Sequence, residues 1–337
     1  MKKKNLVVIS GGSLNEFQIS LRSGYDISDE LYKWYNVFNI VISPTKKWFY
    51  ADDYKKIFIN PNDISTINID YNLDEIFQIG KGMINNIKID CAILTTHGIN
   101  GEDGRLQGLL DFYDIPYIGS GVLGSAIGMD KETSKILVKH VNIDVLPWIT
   151  LYTKSLLDFN HIKSNLGNNL IVKTTNGGSS IGIFKANINN LKEVVNQAFN
   201  MNDKIIIEPE REIRELQIGF IGDEFSSIGE IVKKNNNKFY DYQQKYVDDI
   251  ILEIPARIDE KLQNEIIKKA NDIKKILNLN NFSRIDFFLI NKKLYFNEVN
   301  TLPGFQKSSM YSKLWYHKGF SYKEILNKII NDRLKIK

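Results

Sequence analysis

Cysteine is nearly absent from the sequence, since Cys91 is the only one among 337 residues. An intramolecular disulfide is therefore excluded, and the composition is typical of the reducing cytoplasm, where we expect the protein to work. Cys91 lies in KIDCAILTTHG, a pattern typical of a buried strand. We interpret its thiol as a small core residue and not as a nucleophile.

Long apolar runs are absent too, and no stretch approaches the roughly 18 consecutive apolar residues of a membrane span. The lysines at 2–4 precede NLVVIS, which is too short for a signal peptide and which we interpret as a first buried strand. The net charge of +4 and the pI near 8.7 indicate a protein that is only mildly basic, whereas a nucleic-acid-binding protein is expected to carry a basic stripe. We therefore expect no membrane or nucleic-acid partner, whereas an anionic small substrate fits.

Repeats, low-complexity linkers and charged tails are also missing, and 43% hydrophobic with 25% charged residues is typical of a globular protein. The length exceeds that of one core and predicts two or three domains. Strand and helix patterns alternate from Asn5 to about Gly119, which predicts a parallel sheet flanked by helices. Ligands are expected at the carboxyl ends of such strands.

Two loops follow predicted strands at those ends. In the first, Ser13 and Glu16 fit a capping box at the start of a helix predicted from about Asn15 to Trp34. The same glutamate could instead bind a substrate ammonium, and both interpretations stay open at this point. In the second loop, His97 lies among glycines at 98, 101 and 104. Alone it would be a structural histidine, but the glycines indicate backbone that approaches a ligand closely.

The middle of the chain has a second glycine-rich loop. A single helix is predicted from Ser125 to Val141, carrying Lys131. A loop at 177–180 then joins two strand-like runs, and no Walker A motif is present, but its N–H groups could still close over phosphates. Lys173 precedes this loop in an apolar strand and needs a counter-charge, which a nucleotide phosphate would provide.

A β-hairpin is predicted from two strand-like runs, Phe282 to Ile290 and Leu294 to Val299, separated by a turn at 291–292. Alternation along the strands places Arg284 and Asp286 on one face, and Glu298 and Asn300 on one face. Oxygen ligands without sulfur or imidazole favour Mg²⁺ or Mn²⁺ over zinc.

An ordinary solvated face is the alternative interpretation of this hairpin. Strand alternation predicts that Phe288 and Phe296 lie on the same face as the carboxylates. That face should then be partly covered, as in a cleft, which favours the metal site.

Six motifs occur in an order that resembles the D-alanine–D-alanine ligases of the ATP-grasp superfamily, from about Leu6 to Leu314. They are HGINGEDGRLQG, MDK, VKTTNGGSSIG, FYDYQQKY, RIDFF and NEVNTLPGF. The resemblance implies an α/β (α+β) fold of three domains, with ATP held between two antiparallel sheets. The domains are a parallel-sheet domain at 1–119, a central domain at 120–212 and a C-terminal domain with the magnesium site at 213–337.

The resemblance also implies roles for individual residues. ATP contacts fall on Lys131, Lys173, Gly178, Ser179, Ser180, Glu208, Pro209, Arg211 and Glu215. The implied ligands of two Mg²⁺ (or Mn²⁺) ions are Asp286, Glu298 and Asn300. D-Alanine contacts fall on Glu16, His97, Lys245, Ser309 and Met310. Catalytic groups are Glu16, Ser179, Tyr246, Arg284 and the backbone N–H of Gly304.

The implied activity is the ATP- and Mg²⁺-dependent condensation of two D-alanines, through D-alanyl phosphate, for peptidoglycan precursors. We also expect a cytoplasmic homodimer. Departures from the family pattern fall after the phosphate-binding lysine, at Thr174, near the adenine site, at Glu210, Arg211 and Ile213, and near the second-substrate site, at Gln306 and Ser308. They keep two alternatives open, namely another carboxylate–amine ligase, such as a D-Ala–D-Ser ligase, and a catalytically idle nucleotide-binding homologue.

Overall fold

The structure, a computed structural model, describes residues 3–56, 74–75, 79–177, 182–233 and 250–335. Five residues with predicted roles lie outside the described residues, namely Gly178, Ser179, Ser180, Lys245 and Tyr246. Their roles stay predictions.

The N-terminal part of the chain contains two sheets, a larger mixed sheet and a small one. Its strands are β1 (Asn5–Gly11), β2 (Asn36–Ile42), β3 (Trp48–Ala51), β4 (Asp74–Glu75), β5 (Ile79–Gly80), β6 (Met83–Ile84), β7 (Ile87–Lys88) and β8 (Cys91–Leu94), and its helices are α1 (Phe17–Leu31) and α2 (Arg105–Phe112). The main sheet has the order β4-β3-β2-β1-β8, and β5-β6-β7 form a small one. The predicted parallel pairing is confirmed for β2-β1-β8, whereas β3 and β4 add antiparallel at the edge.

The centre of this sheet is fully buried, which explains its apolar sequence. Leu6, Val8 and Ile9 of β1 have no exposed area, and Cys91 of β8 is equally buried. The interpretation of Cys91 as a core residue is confirmed. Helix α1 starts after a 3₁₀ turn at Leu14–Glu16 and ends three residues before the predicted Trp34.

The central part of the chain forms an antiparallel sheet with the order β11-β10-β12-β9. Its elements are α3 (Val122–Met129), α4 (Lys131–His140), β9 (Ile149–Leu151), α5 (Phe159–Leu166), β10 (Asn169–Thr174), β11 (Ile183–Asn187), α6 (Leu191–Phe199) and β12 (Ile205–Pro209). Apolar side chains of α5 and α6, such as Ile162 and Val195, cover one face of this sheet.

The prediction of a single helix from Ser125 to Val141 is wrong, because the helix is interrupted at Asp130. The backbone of Asp130 is extended, and its side chain accepts a hydrogen bond of 2.8 Å from the N–H of Thr133. This N-cap starts a new helix, since aspartate satisfies the free N–H groups of a first turn. The break therefore places Lys131 at the first position of α4.

The C-terminal part contributes a second antiparallel sheet with the order β15-β14-β13-β16-β17. Its elements are β13 (Arg214–Ile221), β14 (Glu224–Lys233), β15 (Ile250–Glu253), α7 (Glu260–Ile276), β16 (Phe282–Ile290), β17 (Lys293–Asn300), α8 (Met310–Tyr316) and α9 (Tyr322–Lys335). The predicted hairpin is β16–β17. Its turn residues Asn291 and Lys292 have φ of 49° and 66°, as a type I′ turn requires.

A β-bulge in this hairpin corrects the predicted position of Phe296. Asp286 pairs with Glu298, but Phe287 pairs with Phe296, so Asn297 is an extra residue on β17. The bulge reverses the alternation, and Phe296 packs in the core with Phe287 and Ile285. Phe296 therefore does not cover the carboxylate face.

The end of the chain returns to the N-terminal sheet. Ile325 and Ile329 of α9 belong to the same buried cluster as Leu6 and Ile9 of β1. The mixed α/β fold with two antiparallel sheets is thus confirmed, whereas the boundaries at 119/120 and 212/213 stay predictions. Among the described residues, no helix is long and apolar enough to cross a membrane.

Candidate active site

The hairpin face carries the predicted metal ligands in two adjacent rows. Asp286 pairs with Glu298, and Arg284 pairs with Asn300. Arg284 donates Nε and Nη2 hydrogen bonds of 2.7 and 2.8 Å to the two oxygens of Asp286, and Asn300 Nδ2 donates one of 3.2 Å. This bidentate pair neutralises Asp286, which is only 1% exposed.

The donor set of this face is hard and compact. In the described part of the chain, no group of three or more His, Cys, Asp or Glu side chains is placed to hold a metal ion. The predicted site does not require such a group, because it has two carboxylates, Asp286 and Glu298, and an amide, Asn300. Asn300 would present its oxygen to a cation after a turn of the amide group. The residues present therefore fit Mg²⁺ or Mn²⁺.

Lys131 connects this face to the Gly/Ser loop. Its Nζ lies 3.4 Å from Glu298 Oε2 and donates a hydrogen bond of 2.5 Å to the carbonyl of Gly177. The side chain is buried and starts from the first turn of α4. A single ammonium group thus lies next to a predicted metal ligand and to the first residue of the predicted phosphate loop at 177–180.

Glu208 of β12 is buried between two lysines. Lys173 Nζ lies 2.7 Å from Glu208 Oε2, and Lys135 Nζ pairs with Glu208 Oε1. Burial by itself raises the pKa of the Glu208 carboxyl, but the two lysines reverse the effect and lower this pKa to about 2. The counter-charge predicted for Lys173 is therefore supplied by Glu208 within the protein.

Lys135 was not predicted as a site residue, although it lies one helical turn after Lys131. It is 1% exposed, and its Nζ also lies 5.7 Å from the centre of the Trp148 ring. Burial lowers the pKa of Lys135. Residues four apart share a helix face, so the spacing offered a signal, but nothing in the sequence linked Lys135 to Glu208.

The two antiparallel sheets meet at Lys173. Its Nζ lies 5.6 Å from the centre of the Phe288 ring and 3.4 Å from Asn297 Oδ1, both in the hairpin. The bulge residue Asn297 therefore faces the central sheet, and Phe288 covers the site face as predicted. A cleft between two sheets results, with cationic groups on one side and oxygen ligands on the other.

A second buried cluster lies at the carboxyl ends of β1 and β8. His97 Nδ1 lies 3.1 Å from the carbonyl oxygen of Leu302 and 3.9 Å from Glu102 Oε2. Glu16 is 5% exposed, and the Ser13 side chain caps no helix N–H. The serine half of the predicted capping box is therefore wrong.

The protonation of His97 depends on its carboxylate neighbours. Burial lowers the pKa of the imidazole, but the nearby Glu102 carboxylate and the charge of Glu16 raise it above the ordinary value. Burial likewise raises the pKa of Glu102. With Nδ1 at the Leu302 carbonyl, Nε2 is buried and has no partner among the described residues. Glu102 was not predicted as a site residue, although it lies in the same loop.

Close packing leaves no room for a side chain at the glycines of the His97 loop. A methyl group at Gly98 would overlap Glu16 Oε2, one at Gly101 would crowd Thr96, and one at Gly104 would lie 2.8 Å from the Val122 carbonyl oxygen. The glycines predicted that the backbone approaches a ligand closely, and in the structure it approaches other protein atoms closely. At Gly98 this approach is made to a predicted substrate-binding carboxylate.

The segment after the hairpin is tied to α1. The N–H of Gln306 donates a hydrogen bond of 2.9 Å to Ser309 Oγ, which lies beside Gly304. The amide of Gln306 reaches the Ile19 carbonyl at 3.4 Å, and the N–H of Lys307 donates to Asp26 at 3.0 Å. Met310 contacts the backbone near Gly229. The predicted second-substrate residues therefore lie in a segment fixed against the N-terminal helix.

The strand end predicted to bind adenine is partly exposed. Glu210 pairs with Lys185 at 2.6 Å, and exposed Arg211 donates to the Glu210 carbonyl at 3.1 Å. The Glu210 side chain therefore interacts with β11, and the Arg211 side chain interacts with the backbone of Glu210. Ile213 is half-buried, and Pro209 ends the buried strand β12.

Lysines across a cleft from a carboxylate hairpin, between two antiparallel sheets, define a nucleotide-dependent ligase of the ATP-grasp class. Two family models match the chain: "D-ala D-ala ligase N-terminus" at residues 5–120 and "D-ala D-ala ligase C-terminus" at residues 137–331. The chain therefore belongs to the D-alanine–D-alanine ligase family.

Individual relatives agree with this assignment. A D-alanine–D-alanine ligase of Thermoanaerobacter sp. (strain X514) is 36% identical over 350 residues, covering 98% of this chain and 96% of the relative. One of Wigglesworthia glossinidia brevipalpis is 37% identical over 345 residues, covering 97% and 98%.

Solved structures show the same fold. The VanG D-Ala:D-Ser ligase from Enterococcus faecalis has a TM-score of 0.85 at 28% identity, covering 98% of this chain and 100% of that one. The D-alanine–D-alanine ligase from Coxiella burnetii has a TM-score of 0.84 at 25% identity, covering 100% and 95%.

Proposed function

We propose that this protein is an ATP-dependent D-alanine–D-alanine ligase that makes D-Ala-D-Ala for peptidoglycan precursors. The observation that carries the proposal is the position of Lys131, which touches Glu298 and the Gly177 carbonyl at once. This contact joins the hairpin carboxylates to the loop expected to cover the phosphates. The family relatives supply the identity of the substrate.

The reaction has two steps. The carboxylate of the first D-alanine attacks the γ-phosphorus of ATP, and the bond to ADP breaks to leave D-alanyl phosphate. The amine of the second D-alanine then attacks the carbonyl carbon, and the tetrahedral intermediate expels phosphate and loses a proton. Lys131 and Lys173 bind the phosphates, while Glu208, Pro209, Arg211 and Glu215 hold the nucleoside.

The first D-alanine binds at the Glu16–His97 cluster. Glu16 accepts hydrogen bonds from the substrate ammonium, and His97 presents its buried Nε2 to the substrate. An imidazolium would favour a carboxylate, and the raised pKa of His97 favours that form. Ser309 and Met310 bind the second D-alanine beside Gly304.

Metal ions complete the phosphate site. Asp286, Glu298 and Asn300 would hold two Mg²⁺ or Mn²⁺ ions, which would offset the charge of the β- and γ-phosphates. Arg284 holds Asp286 in place and reaches toward the developing oxyanion, together with the N–H of Gly304. Removing one oxyanion donor typically costs about 2.7–4 kcal/mol of barrier.

A phosphate-release assay tests the proposal. We expect release from ATP that requires both Mg²⁺ and D-alanine, with L-alanine as a matched control that supports none. Circular dichroism of the same sample establishes that the protein is folded. A folded protein that releases no phosphate above background with D-alanine would contradict the proposal and favour an idle nucleotide-binding homologue.

D-Serine as second substrate is the one alternative with an observation in its favour. A neighbour with a TM-score of 0.85 is named a D-Ala:D-Ser ligase, and Gln306 and Ser308 depart from the D-alanine pattern near Ser309. We expect D-alanine to outcompete D-serine and D-lactate when labelled D-alanine is the limiting first substrate. Mixed product dominated by D-Ala-D-Ser would favour the alternative.

A further inference from the structure

Gln217 of β13 lies in the same row of the sheet as the predicted metal ligands. Its Cα pairs with that of Asp286 on β16, and Asp286 pairs in turn with Glu298 on β17. Neighbouring strands are about 4.8 Å apart, so the row runs across the floor of the cleft. No sequence motif contains Gln217, although it is two residues after Glu215 and therefore shares its face.

The amide of Gln217 bridges two carboxylates. Its Nε2 donates hydrogen bonds of 3.1 Å to Glu215 Oε1 and 3.2 Å to Asp286 Oδ2. Only the NH₂ end of an amide can donate, so these two acceptors fix its orientation. Gln217 is 2% exposed, and its Oε1 has no hydrogen-bond partner among the described residues. An apolar side chain of the same size would fill this position without a buried unpaired oxygen.

We propose that Gln217 is a positioning residue for the metal site, which fixes Asp286 relative to Glu215 so that the cation and the nucleotide bind together. The inference rests on the proposed function, because it takes Asp286 as a metal ligand and Glu215 as a nucleoside ligand.

Asn300 explains what Gln217 adds to the hydrogen bonds that Arg284 already makes to both oxygens of Asp286. Asn300 Nδ2 and Gln217 Nε2 both donate to Asp286 Oδ2 at 3.2 Å. When Asn300 turns its amide oxygen to a cation, its own hydrogen bond to Asp286 is lost. The amide of Gln217 cannot turn in the same way, because its NH₂ group also donates to Glu215. Together with Arg284, Gln217 therefore keeps Oδ2 oriented while Asn300 serves as a ligand. It also ties this oxygen to Glu215.

The test uses Gln217→Leu in the full-length protein. Mn²⁺ is titrated with saturating ADP, and binding is followed by the relaxation rate of water protons. Loss of an outer partner typically weakens metal binding 10–100-fold, so we expect the Mn²⁺ Kd to rise on the order of 10-fold. The KM for D-alanine should stay unchanged, and Tm should stay unchanged or rise because the unpaired oxygen is gone.

Two further variants keep the result interpretable. Gln217→Asn retains the amide but is one methylene too short to reach both carboxylates, so it should weaken Mn²⁺ binding in the same way. Ser226→Ala removes the hydroxyl that accepts the Gly219 N–H on the neighbouring strand at 2.9 Å. It should lower Tm without changing the Mn²⁺ Kd.

The outcomes separate this inference from the proposed function. A wild-type Mn²⁺ Kd in both Gln217 variants, or a loss of Tm in them without a change in Kd, would overturn the inference while leaving the proposed ligase intact. Wild-type protein that binds no Mn²⁺ with ADP would overturn the proposed metal site and, with it, the role of Gln217.

Discussion

The charged side chains of the cleft are already paired inside the protein. Glu208 lies between Lys135 and Lys173, and Asp286 lies against Arg284. Buried charges are costly unless they are paired, so each pair lets the site keep ionised groups out of water. ATP and metal ions would exchange partners within this network and would not have to create it.

Replacing Lys135 by methionine tests the pairing of Glu208. Removing one partner of a buried ion pair costs about 3 kcal/mol, and Lys173 remains as the second partner. We expect the free energy of unfolding, measured with urea at pH 7, to fall by about this amount. Lys139→Met is the matched control, because exposed Lys139 lies on the same helix and near the same Trp148 ring. A fall of equal size in both variants would contradict the account.

The pH dependence of stability provides a second readout for Lys135. The pKa of Glu208 is about 2 in the folded protein against an ordinary 4.5. Its stabilising contribution is therefore complete above the higher value and is lost as the pH falls toward the lower one. In Lys135→Met the folded-state pKa of Glu208 should rise toward 4.5, so the fall in the free energy of unfolding as the pH is lowered between these two values should be smaller than in wild type.

Glu298→Gln tests the proposed metal ligand without changing its size. The charge that attracts the cation is lost, and we expect the rate of phosphate release to fall by at least about 100-fold, more than an outer partner usually costs. Tm should remain close to that of wild type. Glu224→Gln, at the far end of β14, is the control and should leave the rate unchanged. A wild-type rate in Glu298→Gln would remove the metal assignment.

At the level of elements, sequence reasoning worked where the signal was local. The hairpin, its turn and the buried strands β1 and β8 follow from alternation and turn residues. The bulge at Asn297 and the helix break at Asp130 could not be predicted from these local signals. Each depends on a contact to a neighbouring element or on the cap geometry. Glu102, Lys135 and Gln217 became visible only when tertiary contacts placed them.

The His97 loop offers a test of an element that shapes the site. Gly98 has φ of +67°, and a methyl group there would overlap Glu16 Oε2. We expect Gly98→Ala to displace Glu16 and raise the KM for D-alanine on the order of 10-fold, about 1.4 kcal/mol of binding.

Gly319→Ala is the control for backbone strain. Gly319 has φ of +91° with no atom within 4 Å of the added methyl group. Gly98→Ala and Gly319→Ala should each lose about 1–2 kcal/mol of stability, because alanine is strained in the left-handed backbone conformation. If Gly319→Ala raised the KM as much as Gly98→Ala, strain and not the contact with Glu16 would explain the effect.

In the whole molecule, the two ends of the chain share one core. Ile329 of α9 has no exposed area and belongs to the same buried cluster as β1 and β8 residues more than 200 positions away. No periodicity could show this contact, because it is set by tertiary packing and not by local pattern. We expect Ile329→Ala to cost about 2–5 kcal/mol in urea unfolding.

The control for this prediction is Ile136→Ala, since Ile136 is 52% exposed on α4. It should change stability by less than about 1 kcal/mol. A small effect of Ile329→Ala, similar to that of Ile136→Ala, would mean that α9 contributes little to the N-terminal core.

Product analysis tests the central claim most directly. The wild-type protein is incubated with ATP, Mg²⁺ and D-alanine, and the dipeptide and the released phosphate are both quantified, the dipeptide by mass spectrometry. If the carboxylate of one D-alanine is activated and captured by the amine of another, D-Ala-D-Ala and phosphate should form in equal amounts. Phosphate release without dipeptide, or dipeptide formation without ATP, would contradict the account.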